Sequence, residues 1–65
     1  MSREDIRMDI RRVLRGNPGL GQHYLVTQVS RLRDICCLTI YEVLDEMYRL
    51  QEITRQGEIV SLRES

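Results

Sequence analysis

The polar side chains that we expect to bind another molecule lie between positions 28 and 56 of this chain. Apart from one His, every basic residue is Arg, whose planar guanidinium can bind a phosphate, a carboxylate or a guanine edge through two hydrogen bonds. Hydroxyl and amide groups in the same region can donate or accept further hydrogen bonds. The residues of this candidate binding set are Gln28, Arg31, Arg33, Thr39, Tyr41, Arg55 and Gln56.

Catalysis, by contrast, is not expected. The chain has one His and two Cys without the spacing of zinc ligands, so we expect no metal site. The linker Gly16–Gly21 lacks the Gly-Lys-Ser/Thr ending of a phosphate-binding loop and does not follow a predicted strand. No Cys-His pair or Ser-His-Asp set stands out either. We therefore expect a protein that is not an enzyme and has no cofactor.

The cysteines Cys36 and Cys37 are adjacent, and adjacent cysteines rarely form a disulfide because the bond strains the intervening peptide. We expect two reduced, partly buried thiols, as in a cytosolic protein. The chain has no apolar run near 18 residues, and it begins with charged residues rather than an apolar signal core. These features predict a cytoplasmic protein with no membrane partner.

Periodicity predicts the elements that position the candidate set. A first helix is expected over about 3–15, with Ser2 and Asp5 at capping-box spacing and Gly16-Asn-Pro18 ending it. The β-like run His23–Val26 is interpreted as a lone strand that pairs with a later hairpin. The apolar stripe of the first helix consists of Ile6, Ile10, Val13 and Leu14.

Two further helices and a hairpin follow. Thr27 is the expected N-cap of a second helix over about 27–34, with Val29 and Leu32 on its inner face, and an apolar connection over 35–38 follows it. A third helix is predicted over about 39–51, because Thr39 and Glu42 form a second capping-box pattern. Its inner face would contain Ile40, Val43, Leu44, Met47 and Leu50.

The C-terminal segment is predicted to form a β-hairpin over about 52–62. Its turn is expected at Gln56-Gly57, with Arg55 opposite Glu58. The whole order predicts an α+β fold, a three-helix winged helix-turn-helix with a C-terminal β-hairpin wing, in a single domain over residues 1–65. In such a fold the third helix lies in the major groove of double-stranded DNA and the wing contacts phosphate.

A resemblance supports this expectation. The segment Thr39–Met47, Thr-Ile-Tyr-Glu-Val-Leu-Asp-Glu-Met, resembles the recognition helix of ferric-uptake-regulator-type repressors, which commonly reads Thr-Val-Tyr-Arg-Val-Leu-Asn-x-Phe. The resemblance implies the winged-helix superfamily and an approach of Tyr41 to DNA. The family's Arg is replaced by Glu42 and its Asn by Asp45, two changes toward negative charge. Metal sensing is not implied, because the metal-binding dimerisation domain of those repressors is missing from this sequence.

Charge is unevenly distributed, although the formal net charge is zero. Residues 1–33 contain seven Arg and three acids, a net charge of +4, whereas residues 34–65 contain three Arg and seven acids, a net charge of −4. Such a dipole favours association of complementary surfaces, so we expect a homodimer. The acids on the exposed side of the third helix oppose phosphate attraction. Arg31, Arg33 and Arg55 are expected to offset them by holding the DNA backbone.

The leading expectation is thus a small DNA-binding transcriptional regulator, led by Thr39 and Tyr41 in the major groove. The alternative is a protein-interaction winged helix, such as an accessory or inhibitory protein of a phage or mobile element, whose acidic third helix docks on a basic protein partner. For Tyr41, base contact and packing remain equally open, whereas Tyr48 is expected to pack at the core edge. Arg7, Arg11 and Arg15 form a basic strip that is either a solvated face or a contact for phosphate or an acidic partner.

Overall fold

The computed structural model describes residues 2–63. Three helices precede a C-terminal β-hairpin, which confirms the predicted α+β architecture, and the layout is compatible with a winged helix. A two-residue strand between the first two helices completes a three-stranded antiparallel sheet of order β1-β3-β2. The elements are α1 (Arg3–Gly16), β1 (Leu20–Gly21), α2 (Gln22–Arg33), α3 (Cys37–Arg49), β2 (Ile53–Gln56) and β3 (Ile59–Leu62).

Helix α1 begins and ends where its sequence predicts. The Ser2 hydroxyl accepts a hydrogen bond from the Asp5 backbone N–H at 3.4 Å, as expected of an N-cap. Glu4 and Asp5 in the first turn interact favourably with the positive end of the helix dipole. At the other end, the Asn17 side-chain amide donates to the Val13 carbonyl at 3.1 Å.

The predicted strand at His23–Val26 is wrong, because these residues lie in the first two turns of α2. Leu25, Val26 and Val29 lie on the inner face of a helix and are all buried. Thr27 is therefore inside the helix rather than at its N-cap, and its hydroxyl donates to the His23 carbonyl one turn earlier at 2.9 Å. The extra strand is instead β1, formed just before α2.

The connection between α2 and α3 is shorter than predicted. Asp34 adopts the left-handed conformation, with φ of 52°, and the Ile35 backbone N–H donates to the Ser30 carbonyl at 3.3 Å. This pattern closes a helix abruptly. Consequently α3 begins at Cys37 with Cys36 as N-cap, so the predicted capping box of Thr39 and Glu42 does not form.

Two predicted inner-face positions are exposed. Leu32 is 67% exposed, because the inner side of the last turn of α2 is occupied by Arg33, which reaches Asp9 of α1. Leu50 is 55% exposed, because α3 ends at Arg49 and the chain turns away at Gln51, where φ is 60°.

The hairpin forms with a register different from the predicted one. Arg55 lies opposite Val60 rather than Glu58, and the two loop residues are Gly57 and Glu58. The two registers place the same side chains on the same face, so hydrophobic alternation does not distinguish them. The turn type distinguishes the two registers. Gly57, with φ of +60°, takes the first loop position, which in a type II′ turn requires glycine.

Strand β1 attaches the start of α2 to this hairpin. Leu20 lies opposite Val60 and Gly21 opposite Ile59. Gly19, with φ of +87°, makes the preceding bend, where a Cβ would lie 3.3 Å from the Ile59 side chain. The Gln22 backbone N–H then donates to the Glu58 carbonyl at 2.7 Å, so the first residue of α2 is fixed to the hairpin loop.

None of the helices within residues 2–63 combines the length and apolarity needed to span a lipid bilayer.

Aliphatic side chains from every helix and from both hairpin strands form the core. Tyr41 and Tyr48 pack against the core edge, which confirms the expectation for Tyr48. The buried apolar residues are Ile6, Ile10, Leu14, Leu25, Val26, Val29, Ile40, Val43, Leu44, Met47, Ile53 and Val60.

One acid interrupts the apolar stripe of α1. Asp9 is 6% exposed and accepts hydrogen bonds from two nitrogens of Arg33 on α2, one of them at 3.1 Å. The Arg33 guanidinium beside Asp9 holds the pKa of that carboxyl below its usual value, although burial acts in the opposite direction. A buried carboxylate is tolerated when a partner of this kind satisfies it, so the pair fixes α2 against α1.

Asp9→Asn should lower the free energy of unfolding at pH 7 by about 1.5–3 kcal/mol, because the Arg33 guanidinium loses its charged hydrogen-bond partner. The pKa of Asp9 is lower in the folded state than in the unfolded state. The contribution of Asp9 to the free energy of unfolding is therefore fully present at pH values above its unfolded-state pKa of about 3.9. It is lost as the pH falls through the pKa of Asp9 in the folded state. Urea denaturation at several pH values between 7 and 2 measures both effects.

Asp45→Asn is the matched control, because Asp45 is exposed and makes no ion pair within residues 2–63. This variant should keep the wild-type urea midpoint at pH 7. The role assigned to Asp9 would be contradicted if its Asn variant matched the wild type in both midpoint and acid sensitivity.

Candidate nucleic-acid interface

A small polar cluster joins the hairpin to α2 and α3. It consists of Gln22, Tyr48 and Arg55, and we call it the hairpin cluster. The Tyr48 hydroxyl donates to the Gln22 side-chain oxygen at 2.6 Å, and Arg55 Nη1 donates to the same oxygen at 3.2 Å. The Arg55 guanidinium carbon also lies 5.7 Å from the centroid of the Tyr48 ring, within the range of a cation–π contact. Burial raises the pKa of Tyr48 above its usual value, so the hydroxyl that donates to Gln22 is protonated at neutral pH, as in an ordinary tyrosine.

Alternation along β2 explains why Arg55 reaches this cluster. Ile53 points into the core, so Arg55, two residues later, leaves the strand on the same side. Its cross-strand neighbour Val60 is buried, and its guanidinium extends beyond the core edge to Tyr48. Arg55 itself remains exposed, and a guanidinium has five N–H donors. It can therefore hold the hairpin against α3 and still bind an anion.

The two residues predicted to lead the reading helix do not face the same way. Thr39 and Tyr41 are two positions apart on α3, which separates their directions by about 200° around the helix axis. Both are half-buried, and Tyr41 packs against the core edge on the same flank as Tyr48. Tyr41 therefore lies on the flank of α3 that carries Tyr48, and Thr39 lies on the opposite flank.

The acidic face of α3 is partly neutralised within the chain. Arg3 at the start of α1 lies 3.3 Å from the Glu42 carboxylate and 3.6 Å from that of Glu46. Asp45 is exposed and stands without an ion-pair partner in the described part of the chain. The electrostatic repulsion between α3 and a DNA phosphate is therefore weaker than three unpaired acids would produce.

The predicted backbone contacts of α2 are only partly available. Arg33 is paired with the Asp9 carboxylate, so part of its positive charge is compensated within the chain, and its contact with the DNA backbone stays a prediction. Arg31 is exposed near the end of α2, and Gln28 lies half-buried one turn before it. On the hairpin, Gln56 is exposed at the last position of β2, beside the loop.

Two further residues of the candidate interface, Gln22 and Arg49, are not identified by the sequence analysis. Gln22, which accepts from both Tyr48 and Arg55, was overlooked because α2 was expected to begin five residues later. Arg49 is exposed one helical turn after Asp45, so the two share a face of α3. Its position opposite the apolar side of α3 was a signal that could have added it to the set.

The N-termini of α2 and α3 differ from that of α1. Neither Gly21 nor Cys36, their N-cap residues, provides a side-chain hydrogen bond, and the first turn of each helix has no acid. Free backbone N–H groups at a helix start carry partial positive charge and attract anions. The Gln22 N–H of α2 already donates to the Glu58 carbonyl and the Thr39 N–H of α3 to the Cys36 carbonyl, so only part of each helix start is free to meet a phosphate.

The two thiols at the start of α3 are more accessible than predicted. Cys36 and Cys37 are both free and both exposed, whereas partial burial was expected. The reason is the early start of α3, which places them at its first turn instead of in an apolar connection. Within residues 2–63, no three His, Cys, Asp or Glu side chains come together as potential metal ligands.

Comparison with protein-family models, curated proteins and solved structures finds no significant match to this chain.

Both thiols should react with Ellman's reagent in the native protein. We expect two thiols per chain to be modified without denaturant, at rates that rise less than about tenfold in 6 M guanidinium chloride, because accessibility governs the reaction of exposed thiols. The absorbance of the released thiolate measures the stoichiometry and the rate. Modification of one thiol or none before unfolding would contradict the placement of Cys36 and Cys37.

Proposed function

We propose that this protein binds double-stranded DNA as a small transcriptional regulator of the winged-helix type, with α3 in the major groove and the hairpin on phosphate. The observation that carries the proposal is the cluster of Tyr48, Gln22 and Arg55, which joins α3, α2 and the hairpin. Such a joint holds an exposed cation beside α3, where a wing would meet the DNA backbone.

Electrostatics supports the proposal in two ways. The pairing of Arg3 with Glu42 and Glu46 reduces the negative potential of α3 without involving a partner. In addition, the uncapped starts of α2 and α3 add partial positive charge to the surface. Arg31 and Arg49 are further exposed cations on these helices. Binding by a monomer should still be weak, because few phosphates are neutralised.

Homodimerisation and a cytoplasmic location remain predictions within this proposal. The charge split between the two halves of the chain supports dimerisation less than the sequence suggests. Ion pairs within one molecule already join Arg3, Arg7 and Arg11 of the first half to acids of the second half. A dimer would have to form through other contacts.

Arg55→Gln should weaken binding to a random 20-base-pair duplex by about tenfold at 25 mM salt and reduce the slope of log Kd against log salt by about one. The reason is the loss of one phosphate contact at the hairpin. Fluorescence anisotropy of a labelled duplex between 25 and 200 mM salt measures both quantities. Thermal unfolding of the variant shows whether the hairpin remains attached.

Arg12→Gln is the matched control, since it removes the same charge from an exposed position of α1. We expect it to change DNA affinity by less than about threefold, through the net charge alone. DNA affinity that depended on Arg12 and not on Arg55 would contradict the proposed surface. The absence of DNA binding by the wild type at 25 mM salt would contradict the function.

A second function is favoured by one observation, the free carboxylate of Asp45 on the exposed face of α3. In this alternative α3 docks on a basic protein partner, as an accessory or inhibitory protein would. The acidic face would then supply the attraction instead of opposing it.

Asp45→Asn distinguishes these two functions. If α3 enters the major groove, removal of the repulsive charge should strengthen duplex binding by about two- to fivefold at 25 mM salt. Asp45 is a sharper test than Glu42, because Glu42 is already paired with Arg3. Glu4→Gln, at an exposed position of α1 outside this surface, is the charge-matched comparison and should change duplex binding only through the net charge. Unchanged or weaker duplex binding by the Asn variant would contradict groove insertion and favour a basic protein partner.

A further inference from the structure

The outer face of α1 has a cluster of cations around an exposed apolar side chain. Met8, Arg11, Arg12 and Arg15 line a shallow groove along this helix. Met8 is 52% exposed, and the three arginines are exposed as well. We call these four residues the α1 patch. The patch differs from the basic strip expected from sequence, because Arg7 is replaced by Arg12.

Arg7 is excluded from the patch by its ion pairs. It binds the Glu52 carboxylate through two nitrogens and also lies 3.4 Å from Glu4. Glu52 reaches this position because α3 ends in a tight turn, in which the Glu52 backbone N–H donates to the Met47 carbonyl at 3.0 Å. Arg7 is consequently part of the contact between α1 and the α3–β2 connection.

The remaining arginines of α1 are poorly compensated. Arg11 lies 3.2 Å from Glu52, but it shares this single carboxylate with Arg7. Neither Arg12 nor Arg15 has an acid within ion-pair distance among residues 2–63. Arg12 contributes to lowering the pKa of Asp9, but only through its charge at a distance. The patch therefore carries excess positive charge.

Helix stability alone does not explain this arrangement. Arg15 lies in the last turn of α1, where a cation favourably compensates the helix dipole. Arg11 and Arg12 lie in the middle of the helix, and each is within one turn of Arg15, so like charges repel along the same face. An anionic partner would relieve this repulsion.

We propose that the α1 patch binds a short acidic segment of a partner protein. Carboxylates of that segment would bind Arg12 and Arg15, and an apolar side chain would cover Met8. Guanidinium groups bind carboxylates through paired hydrogen bonds, and the flexible thioether of Met adapts to different apolar shapes. A phosphate backbone would satisfy the arginines but would leave Met8 exposed, so the composition of the patch favours a peptide.

The dimensions of the patch set the length of the segment. Met8 and Arg15 are seven positions apart on the helix, which corresponds to about 10 Å along its axis. This distance matches about three residues of extended chain or two turns of a helix. A motif with acids on both sides of one Leu would therefore span the patch.

The patch is separate from the proposed DNA-binding surface. The opposite face of α1 buries Ile6, Ile10 and Leu14 in the core that also contains α2 and α3, so the patch points away from those helices. Both surfaces can be occupied simultaneously. Binding of a peptide to the α1 patch does not require DNA binding at the other surface.

Fluorescence anisotropy with a labelled synthetic peptide tests the proposal on the full chain. The probe is Asp-Glu-Glu-Leu-Asp-Glu, and the comparison peptide has Asn and Gln in place of its acids. At 50 mM salt the acidic peptide should bind at least tenfold more tightly than the neutral one. The double variant Arg12→Gln/Arg15→Gln should lose at least tenfold of this affinity, and Met8→Ser about threefold.

Arg31→Gln/Arg49→Gln is the matched control, because it removes two exposed arginines from α2 and α3. Its affinity for the acidic peptide should stay within about twofold of the wild type, apart from the general effect of net charge. Equal losses in the two double variants would overturn the proposal, and so would equal binding of the two peptides.

A labelled 20-base-pair duplex provides the other arm of the experiment. Duplex binding that is tighter than peptide binding and is lost in Arg12→Gln/Arg15→Gln would assign the α1 patch to phosphate, which also overturns the proposal. Circular dichroism of each variant verifies the fold. Retained helical signal in Met8→Ser, with reduced peptide affinity, would support a direct contact.

Discussion

Burial of aliphatic side chains in one shared core is the constraint on which this structure depends. With 65 residues, no helix of this chain can have a core of its own, so three helices and a hairpin bury their apolar faces together. Val60 of β3 lies in the same core as Leu25 of α2 and Met47 of α3. The hairpin is thus not an appendage: its position relative to α2 and α3 is set by the packing that stabilises the whole chain.

Charge is distributed around this core so that the two halves of the chain compensate each other. Arg3 and Arg7 of α1 pair with acids on α3 and on the α3–β2 connection, whereas the pair of Asp9 and Arg33 lies within the first half. What remains unpaired is therefore more informative about partners than the formal count of charges. Within the described residues, the charged groups without an ion pair include Asp45 on α3 and the arginines Arg12 and Arg15 on α1. They lie on different sides of the molecule.

The hairpin cluster and the α1 patch suggest how one small domain could serve two partners. Gln22 accepts from both Tyr48 and Arg55, so α2, α3 and the hairpin present their polar groups on one connected surface. The α1 patch lies beyond the opposite side of the core. In our proposals, DNA would occupy the first surface and an acidic protein segment the second. A regulator needs no enzyme chemistry for such a role, only two surfaces held in fixed relation by the core.

The sequence by itself determined the number of helices, the cap and extent of α1, and the presence of a C-terminal hairpin, because these depend on local periodicity, capping and glycine. Only the tertiary structure decided that His23–Val26 is helical, that Arg33 is engaged by Asp9, and that Arg55 lies opposite Val60. The first two outcomes depend on a partner distant in sequence, the core for α2 and α1 for Arg33, whereas the hairpin register depends on the turn conformation at Gly57, which hydrophobic alternation does not specify. Local sequence patterns do not specify which distant residues a side chain will contact. Those contacts decide which side chains of the candidate site are free to bind a partner.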